Sequence, residues 1–219
     1  MKPHQALAIG LVLLSMLLTA LVSRSVFERM PHLEDEVTYL WQARALAGGQ
    51  PVLEAPTPSR PFWQPFVVVQ GENRFGKYSL GWPGLLSIGV LLGQTWVVNA
   101  FLASVTVALV YRLGREIFSG DVGLIAAALT AFSPMALLLN GTLMGHTAAM
   151  ATGMLFVYAY WRMSRGGRRA LWWGLVAGAA LGLTAINRPL AGVAMAGPFV
   201  AWSGVRLLRA YLTPVSAGG

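Results

Sequence analysis

Three consecutive acidic residues, Glu34, Asp35 and Glu36, form the stretch of this sequence best suited to chemistry. The chain has only eight Asp and Glu residues, and these three follow an apolar run by about a dozen residues. Carboxylates this close repel one another and resist burial, so at a membrane face they are candidates for proton transfer, metal binding or substrate binding. The alternative is a solvated helix start, where the helix dipole favours acids.

Four cationic or titratable residues elsewhere in the chain would complement these acids. Lys77 and Tyr78 precede a short apolar segment, and an ammonium and a phenol at headgroup depth suit a phosphate. Arg188 lies between two apolar runs, where arginine is costly unless it meets an anion. His146 also lies between two apolar runs. The alternatives are an interfacial Lys/Tyr/Trp belt, a snorkelling arginine and a hydrogen-bonded structural histidine.

The chemistry that such residues support is displacement at a lipid-linked phosphate. A carboxylate can deprotonate an acceptor hydroxyl as a general base, and cations can stabilise a phosphate as negative charge develops on it. The sequence contains no nucleophile elbow, P-loop, dinucleotide fingerprint or HExxH pattern. The absence of cysteine excludes thiolate metal sites and disulfides.

The composition predicts an all-α polytopic membrane protein. Hydrophobic residues make up 56% of the 219 residues, mean hydropathy is +0.60, and charged residues make up 11%, well below the roughly 25% of soluble domains. Lipid requires every backbone group to be bonded internally, which favours helices. The net charge of +8 would suggest nucleic acid in a soluble protein. Here the arginines lie beside apolar runs, so we expect no nucleic-acid partner.

Hydropathy predicts about six transmembrane helices. A further segment at 82–93 is too short to cross a bilayer, so an interfacial or re-entrant helix is expected there. In the fifth span, Gly174, Gly178 and Gly182 fall on one face and predict close helix packing. The predicted spans are 6–22, 96–111, 120–139, 143–161, 171–187 and 190–208.

The distribution of basic residues predicts the orientation. With six spans, one side of the membrane receives most of the basic residues, which makes that side cytoplasmic. The N-terminus is then cytoplasmic, and a long first loop of about residues 24–95 is extracytoplasmic together with Asp35, Lys77, His146 and Arg188. The residues on the basic side are Lys2, Arg112, Arg115, Arg162, Arg165, Arg168, Arg169, Arg206 and Arg209.

The long loop carries two further local signals. The segment from Asp35 to Ala47 predicts a short helix ended by Gly48-Gly49. A proline-rich stretch follows, in which residues 66–70 have the composition of a strand.

Taken together and in order, several stretches resemble the GT-C type membrane glycosyltransferases, in particular glycosyltransferase family 39, the relatives of aminoarabinose transferase and protein mannosyltransferases. The resemblance spans about residues 34–200. The matching stretches are Asp35-Glu36-Val-Thr-Tyr39-Leu-Trp-Gln-Ala-Arg44-Ala-Leu-Ala-Gly48, Gly76-Lys77-Tyr78-Ser-Leu-Gly-Trp82-Pro83-Gly84, Tyr111-Arg112-Leu-Gly-Arg115-Glu-Ile-Phe118, Ser133-Pro134 through Met144-Gly145-His146-Thr147, and Gly182-Leu-Thr-Ala-Ile-Asn-Arg188-Pro189.

The resemblance implies a polyprenyl-phosphate sugar donor and inverting transfer on the extracytoplasmic face of the cytoplasmic membrane to a lipid, glycan or protein acceptor. Asp35 matches the first-loop aspartate that serves as the catalytic base, with Glu36 beside it. Lys77 falls where such enzymes contact the donor phosphate, and Arg188 is expected to share that role. Tyr39, Tyr78 and His146 are expected to line the site.

The chain departs from the family pattern in three respects. The usual Tyr-Pro-Pro-Gly is replaced by the stretch from Tyr78 to Gly84, and many relatives have an acid where this chain offers His146. No cofactor is certain, and Asp35 and His146 are the candidate contacts for a divalent metal. Such enzymes usually run to twice this length, so we expect a transmembrane module at 1–212 with a short tail at 213–219, either truncated or assembling with itself or a partner.

Two functions remain open at this point. The first is a glycosyltransferase with Asp35 as general base. The alternative is a non-catalytic subunit that binds or flips a polyprenyl phosphate, for which the same cations would serve but Asp35 would not be needed.

Overall fold

The computed structural model describes residues 3–212, so Lys2 and the predicted tail at 213–219 lie outside the described part of the chain. Within it the protein is mostly helical, with one small sheet in the loop between the first and fourth helices. The all-α polytopic class expected from composition is confirmed. The helices in chain order are α1 (Pro3–Ser25), α2 (Glu34–Ala47), α3 (Gly81–Leu91), α4 (Trp96–Ile117), α5 (Gly120–Ala131), α6 (Pro134–Gly141), α7 (His146–Ser164), α8 (Ala170–Asn187) and α9 (Pro189–Leu212).

Four of these helices, α1, α4, α8 and α9, are long and apolar enough to cross a membrane. The pair α5 and α6 would make a fifth span if the two count as one bent segment. The length and composition of the described helices therefore give four or five spans, and the predicted number of about six is not confirmed. The difference comes from α7, which has 19 residues but is not among the helices that meet these criteria.

The predicted span at 120–139 is not one continuous helix. It divides into α5 and α6, which meet at an angle of 54°. Pro134 is the first residue of α6, and Ser133 before it is extended and caps the helix by accepting a hydrogen bond from the Ala136 N–H at 3.4 Å. Proline lacks the N–H that a continuing helix needs and restricts the residue before it, so it starts a new helix here.

Helices α4 and α7 run in the same direction. At one end, the Asn99 amide in α4 donates to the Thr142 carbonyl just before α7 at 2.7 Å. At the other end, Glu116 near the end of α4 accepts a hydrogen bond from Tyr158 in the second half of α7 at 3.0 Å.

Helix α8 runs antiparallel to α7. Thr184 donates to Thr152 at 2.8 Å near one end, and the rings of Trp173 and Tyr158 are 5.6 Å apart near the other. We call the end of the bundle that holds the start of α7 and the end of α8 the site end. The opposite end, with the end of α7 and the start of α8, is the basic end.

The glycines of α8 do not make the close packing that their spacing predicted. An added Cβ at Gly178 or Gly182 would meet open space, and at Gly174 only the Met163 side chain. The buried face of α8 is formed instead by Ala177, Ala180 and Thr184. At 100° per residue the glycine face lies about a third of a turn away from it. Small side chains permit close packing but do not decide which face is buried.

The loop between α1 and α4 folds over the site end of the bundle. It contains α2, α3 and a three-stranded antiparallel sheet of order β1-β3-β2, with β1 at Leu53–Glu54, β2 at Val67–Gln70 and β3 at Asn73–Gly76. The predicted helix at 35–47 and strand at 66–70 are confirmed, whereas β1 and β3 were not predicted. Helix α3 has 11 residues, about 16 Å, and is too short for a hydrocarbon core of about 30 Å.

Candidate functional site

The three acids in the first turn of α2 differ sharply in exposure. Glu34 is exposed, Asp35 is half-buried, and Glu36 has no exposed surface. Glu36 Oε2 accepts a hydrogen bond from the backbone N–H of His32 at 3.0 Å, which satisfies a donor just before the helix. This resembles the reciprocal half of a capping box. Glu36 therefore anchors the start of α2, and the structure does not bring its carboxylate to a surface that a substrate could reach.

Burial raises the pKa of Glu36, while the backbone amides of His32 and Leu143 oppose this rise. Because the folded protein then holds this proton more tightly than the unfolded chain, the contribution of Glu36 to stability should fall as pH increases from 4.5 through its raised pKa. We expect the unfolding temperature of Glu36→Gln relative to wild type to increase over this pH range. Thermal unfolding in detergent at a series of pH values measures it.

Glu34→Gln is the matched control, because Glu34 is exposed in the same helical turn. Its unfolding temperature relative to wild type is measured over the same pH range. A constant difference for Glu36→Gln, or an equal increase for Glu34→Gln, would contradict the effect of burial on the Glu36 carboxyl.

The Asp35 carboxylate is held by a tyrosine from the far end of the loop. The Tyr78 hydroxyl donates a hydrogen bond to Asp35 Oδ1. Tyr39, one helical turn after Asp35, packs against Tyr78 with ring centroids 4.5 Å apart. Within residues 3–212, no side chain or backbone group donates to Asp35 Oδ2. One carboxylate oxygen is thus fixed, and the other is available to a ligand.

Lys77 follows strand β3 and lies beside Tyr78. Its Nζ is 3.6 Å from the centroid of the Phe66 ring and 5.0 Å from that of Tyr78. Aromatic faces attract a cation without neutralising it. The described residues provide no carboxylate in salt-bridge contact with this ammonium. Its charge therefore remains available to an anion. Phe66 was not predicted as a site residue.

The Gln42 side chain holds in position the segment that carries Lys77 and Tyr78. This buried side chain of α2 donates through Nε2 to the carbonyls of Gly76 at 3.3 Å and Tyr78 at 3.1 Å. A Cβ on Gly76 would lie 2.2 Å from Gln42 Cδ, so only glycine allows this approach. No pattern in the sequence indicated this role, because a glutamine on an amphipathic helix is usually solvated.

Gln42→Leu is expected to lower the free energy of unfolding by about 1–3 kcal/mol, because it leaves buried carbonyls without a donor. It should also displace Tyr78 from Asp35 and so lower the rate of the sugar transfer that the resemblance implies. Denaturation of the purified chain and a sugar-transfer assay measure the two effects. Gln50→Leu, an exposed glutamine just after α2, is the control. Equal stability of the two variants would contradict the role of Gln42.

His146 and Arg188 reach the same region from the bundle. His146 is the first residue of α7, and Arg188 directly follows α8. Charge interactions link His146 to both Arg188 and Asp35. Burial raises the pKa of Tyr39, the Asp35 carboxylate raises it further, and Arg188 opposes them. We call the following six residues the Asp35 cluster: Asp35, Tyr39, Lys77, Tyr78, His146 and Arg188.

Contacts between the loop and α8 keep Arg188 beside the loop. The Ser79 hydroxyl donates to the carbonyl of Ile186. Gly81 packs against Asn187, where an added Cβ would lie 2.7 Å from Oδ1. Both polar atoms of the Asn187 side chain are buried without a hydrogen-bond partner among residues 3–212. The structure thus brings together six of the seven predicted site residues, and Glu36 alone points elsewhere.

The structure contains no preformed cluster of metal ligands in its described part. No group of three or more His, Asp or Glu residues there could hold a metal ion. Asp35 and His146, the two predicted candidates, belong to the same cluster but have no third such partner.

The chain matches the model of one protein family over residues 85–213, more than half of its length. That family is described as dolichyl-phosphate-mannose-protein mannosyltransferase, and the chain belongs to it. It is therefore a GT-C type membrane glycosyltransferase that uses a lipid-linked sugar donor, as the resemblance predicted. No curated protein and no solved structure matches the chain significantly.

The matched region divides the Asp35 cluster. It includes His146 and Arg188 but begins after Asp35, Lys77 and Tyr78. The roles expected of these three loop residues therefore stay predictions, drawn from their geometry and from the resemblance of the loop sequence.

Proposed function

We propose that this protein transfers a sugar from a polyprenyl-phosphate donor to an acceptor hydroxyl with inversion, using Asp35 as the general base. The observation that carries this proposal is the arrangement around Asp35. One of its oxygens is held by Tyr78, and two cations without carboxylate partners in residues 3–212, Lys77 and Arg188, belong to the same cluster.

The residues divide the reaction between them. Asp35 takes the proton of the acceptor hydroxyl as its oxygen attacks the anomeric carbon of the sugar. The bond from that carbon to the phosphate oxygen breaks, and its electron pair leaves with the polyprenyl phosphate. Lys77 and Arg188 stabilise the charge that develops on this phosphate. Tyr39 and His146 line the site, and the acceptor is a lipid, glycan or protein that presents a hydroxyl group.

The charge distribution supports an extracytoplasmic site in the cytoplasmic membrane. The basic end carries the arginines at the ends of α4 and α7 and in the turn before α8. Cytoplasmic loops are enriched in Lys and Arg, so we place the basic end in the cytoplasm. The Asp35 cluster then lies outside and the N-terminus inside.

The test is transfer by the full chain in proteoliposomes, with a labelled polyprenyl-phosphate sugar as donor and cell-envelope extract as acceptor. We expect labelled product with wild type and almost none with Asp35→Asn. If both bind the donor and neither transfers the label, the protein is instead a non-catalytic carrier-binding subunit, and the proposal is wrong.

A further inference from the structure

A second group of charged residues surrounds a cavity at the basic end of the bundle, far from Asp35. The cavity has a volume of about 640 Å³, within the range of ligand sites. From His146 at the start of α7 to Arg162 near its end the helix rises about 24 Å, so the cavity is separate from the Asp35 cluster. It is lined by Glu116, Arg162, Arg165, Arg168, Arg169 and Trp173.

The cavity has a large excess of positive charge. Its one carboxylate, Glu116, is already bonded to Arg162 at 2.9 Å and to the Tyr158 hydroxyl at 3.0 Å. The other three arginines are exposed and have no carboxylate partner in the part of the chain that the structure describes. Three like charges around one space repel one another and favour an anionic ligand.

The backbone of the turn between α7 and α8 adds to this preference. Gly166 and Gly167 have φ angles of +71° and +93°, a backbone conformation that suits glycine. The turn they form lets Arg165 and Arg168 line the same cavity. No side chain caps the start of α8, which has 18 residues, so its N-terminus adds partial positive charge.

The surroundings place the cavity at the depth of lipid headgroups. Arg162 stacks on Trp173 at 5.2 Å and Arg165 on Trp161 at 5.5 Å, and tryptophan is enriched at membrane interfaces. Leu171 and Trp172, in the first turn of α8, are 78% and 62% exposed. Acyl chains would contact this apolar surface while a headgroup occupied the cavity, and a free phosphate would leave it uncovered.

We propose that this cavity binds an anionic phospholipid whose headgroup carries two phosphates. One phosphodiester compensates a single charge, whereas two match the three unpaired guanidinium groups more closely. Arginine also binds phosphate oxygens through two parallel hydrogen bonds. The site is distinct from that of the sugar donor and requires only that the basic end lie at a membrane surface.

The experiment measures lipid binding to the full chain purified in detergent, by native mass spectrometry. The probes are diphosphatidylglycerol, with two phosphodiesters, phosphatidylglycerol, with one, and inorganic phosphate. We expect diphosphatidylglycerol to bind at least tenfold more tightly than phosphatidylglycerol. The double variant Arg165→Ala/Arg168→Ala should bind it about 25-fold more weakly, since each arginine near a lipid surface contributes about a fivefold effect.

Arg206→Ala is the matched control, because Arg206 is an exposed arginine of α9 that does not line the cavity. It should change the affinity less than twofold. A loss of about fivefold in Arg206→Ala, the effect of any single arginine near a lipid surface, would show that general surface charge accounts for the binding and would overturn the proposal. Binding of inorganic phosphate as tight as that of the lipid would overturn it too. The helix content of each variant, measured by circular dichroism in the absence of lipid, shows whether it folds.

Discussion

Asp35→Asn is expected to lower the rate of sugar transfer by about 10²–10⁴-fold, the range that general-base catalysis contributes. Asparagine has nearly the same shape and can still accept the hydrogen bond from Tyr78, so the cluster should keep its geometry. It cannot take the proton of the acceptor hydroxyl. The loss should therefore appear in kcat, while the affinity for the polyprenyl-phosphate sugar stays close to that of wild type.

The neighbouring acid supplies the control for this substitution. Glu34→Gln removes the same charge from the same helical turn, but Glu34 is exposed and outside the cluster. Its transfer rate should stay within about twofold of wild type. A rate for Asp35→Asn within a few-fold of wild type would remove Asp35 from the mechanism. An equal loss in both variants would indicate that the total charge of the loop matters rather than one base.

Lys77→Ala is expected to weaken binding of the polyprenyl-phosphate sugar by about 10–150-fold. A hydrogen bond to a charged group contributes about 1.5–3 kcal/mol, and every 1.4 kcal/mol is tenfold in affinity. The Lys77 side chain is exposed and contacts the rings of Phe66 and Tyr78 rather than a carboxylate. Its removal should therefore leave the unfolding temperature almost unchanged. Titration with labelled donor measures the affinity.

Two further variants separate a specific contact from general attraction. Lys77→Arg keeps the charge and should recover most of the affinity. Arg60→Ala removes an exposed cation of the same loop that is not one of the residues of the Asp35 cluster, and it should change the affinity less than twofold. If Arg60→Ala weakens donor binding as much as Lys77→Ala, the phosphate does not contact Lys77 in particular.

The sequence predicted correctly those helices and strands of the site whose ends are set by a few neighbouring residues. Helix α2 begins at its acidic turn and ends before Gly48-Gly49, because dipole and capping preferences act within one turn. The membrane class followed from composition alone. The break between α5 and α6 also had a local signal in Ser133-Pro134, but the continuous apolar run concealed it.

The errors concern which side of an element faces its neighbours. The glycines of α8 were assigned to a packed face, and two of them border open space instead. The site role expected for Glu36 beside Asp35 stays a prediction, but its carboxylate turns inward to the His32 N–H, a direction that the sequence did not indicate. Residues adjacent in sequence differ by 100° around a helix, and only the packing of the whole bundle determines which direction is buried.

By itself the sequence determined the residue types of the site and the segments that carry them, because hydropathy, capping and charge spacing act over a few residues. Only the tertiary structure decided which of those residues meet. Asp35 and Tyr78 are 43 positions apart, and Gln42 reaches across 36 positions to hold the Tyr78 carbonyl. Such contacts depend on how α2, the sheet and the end of α8 pack at one end of the bundle, and no local pattern encodes that arrangement.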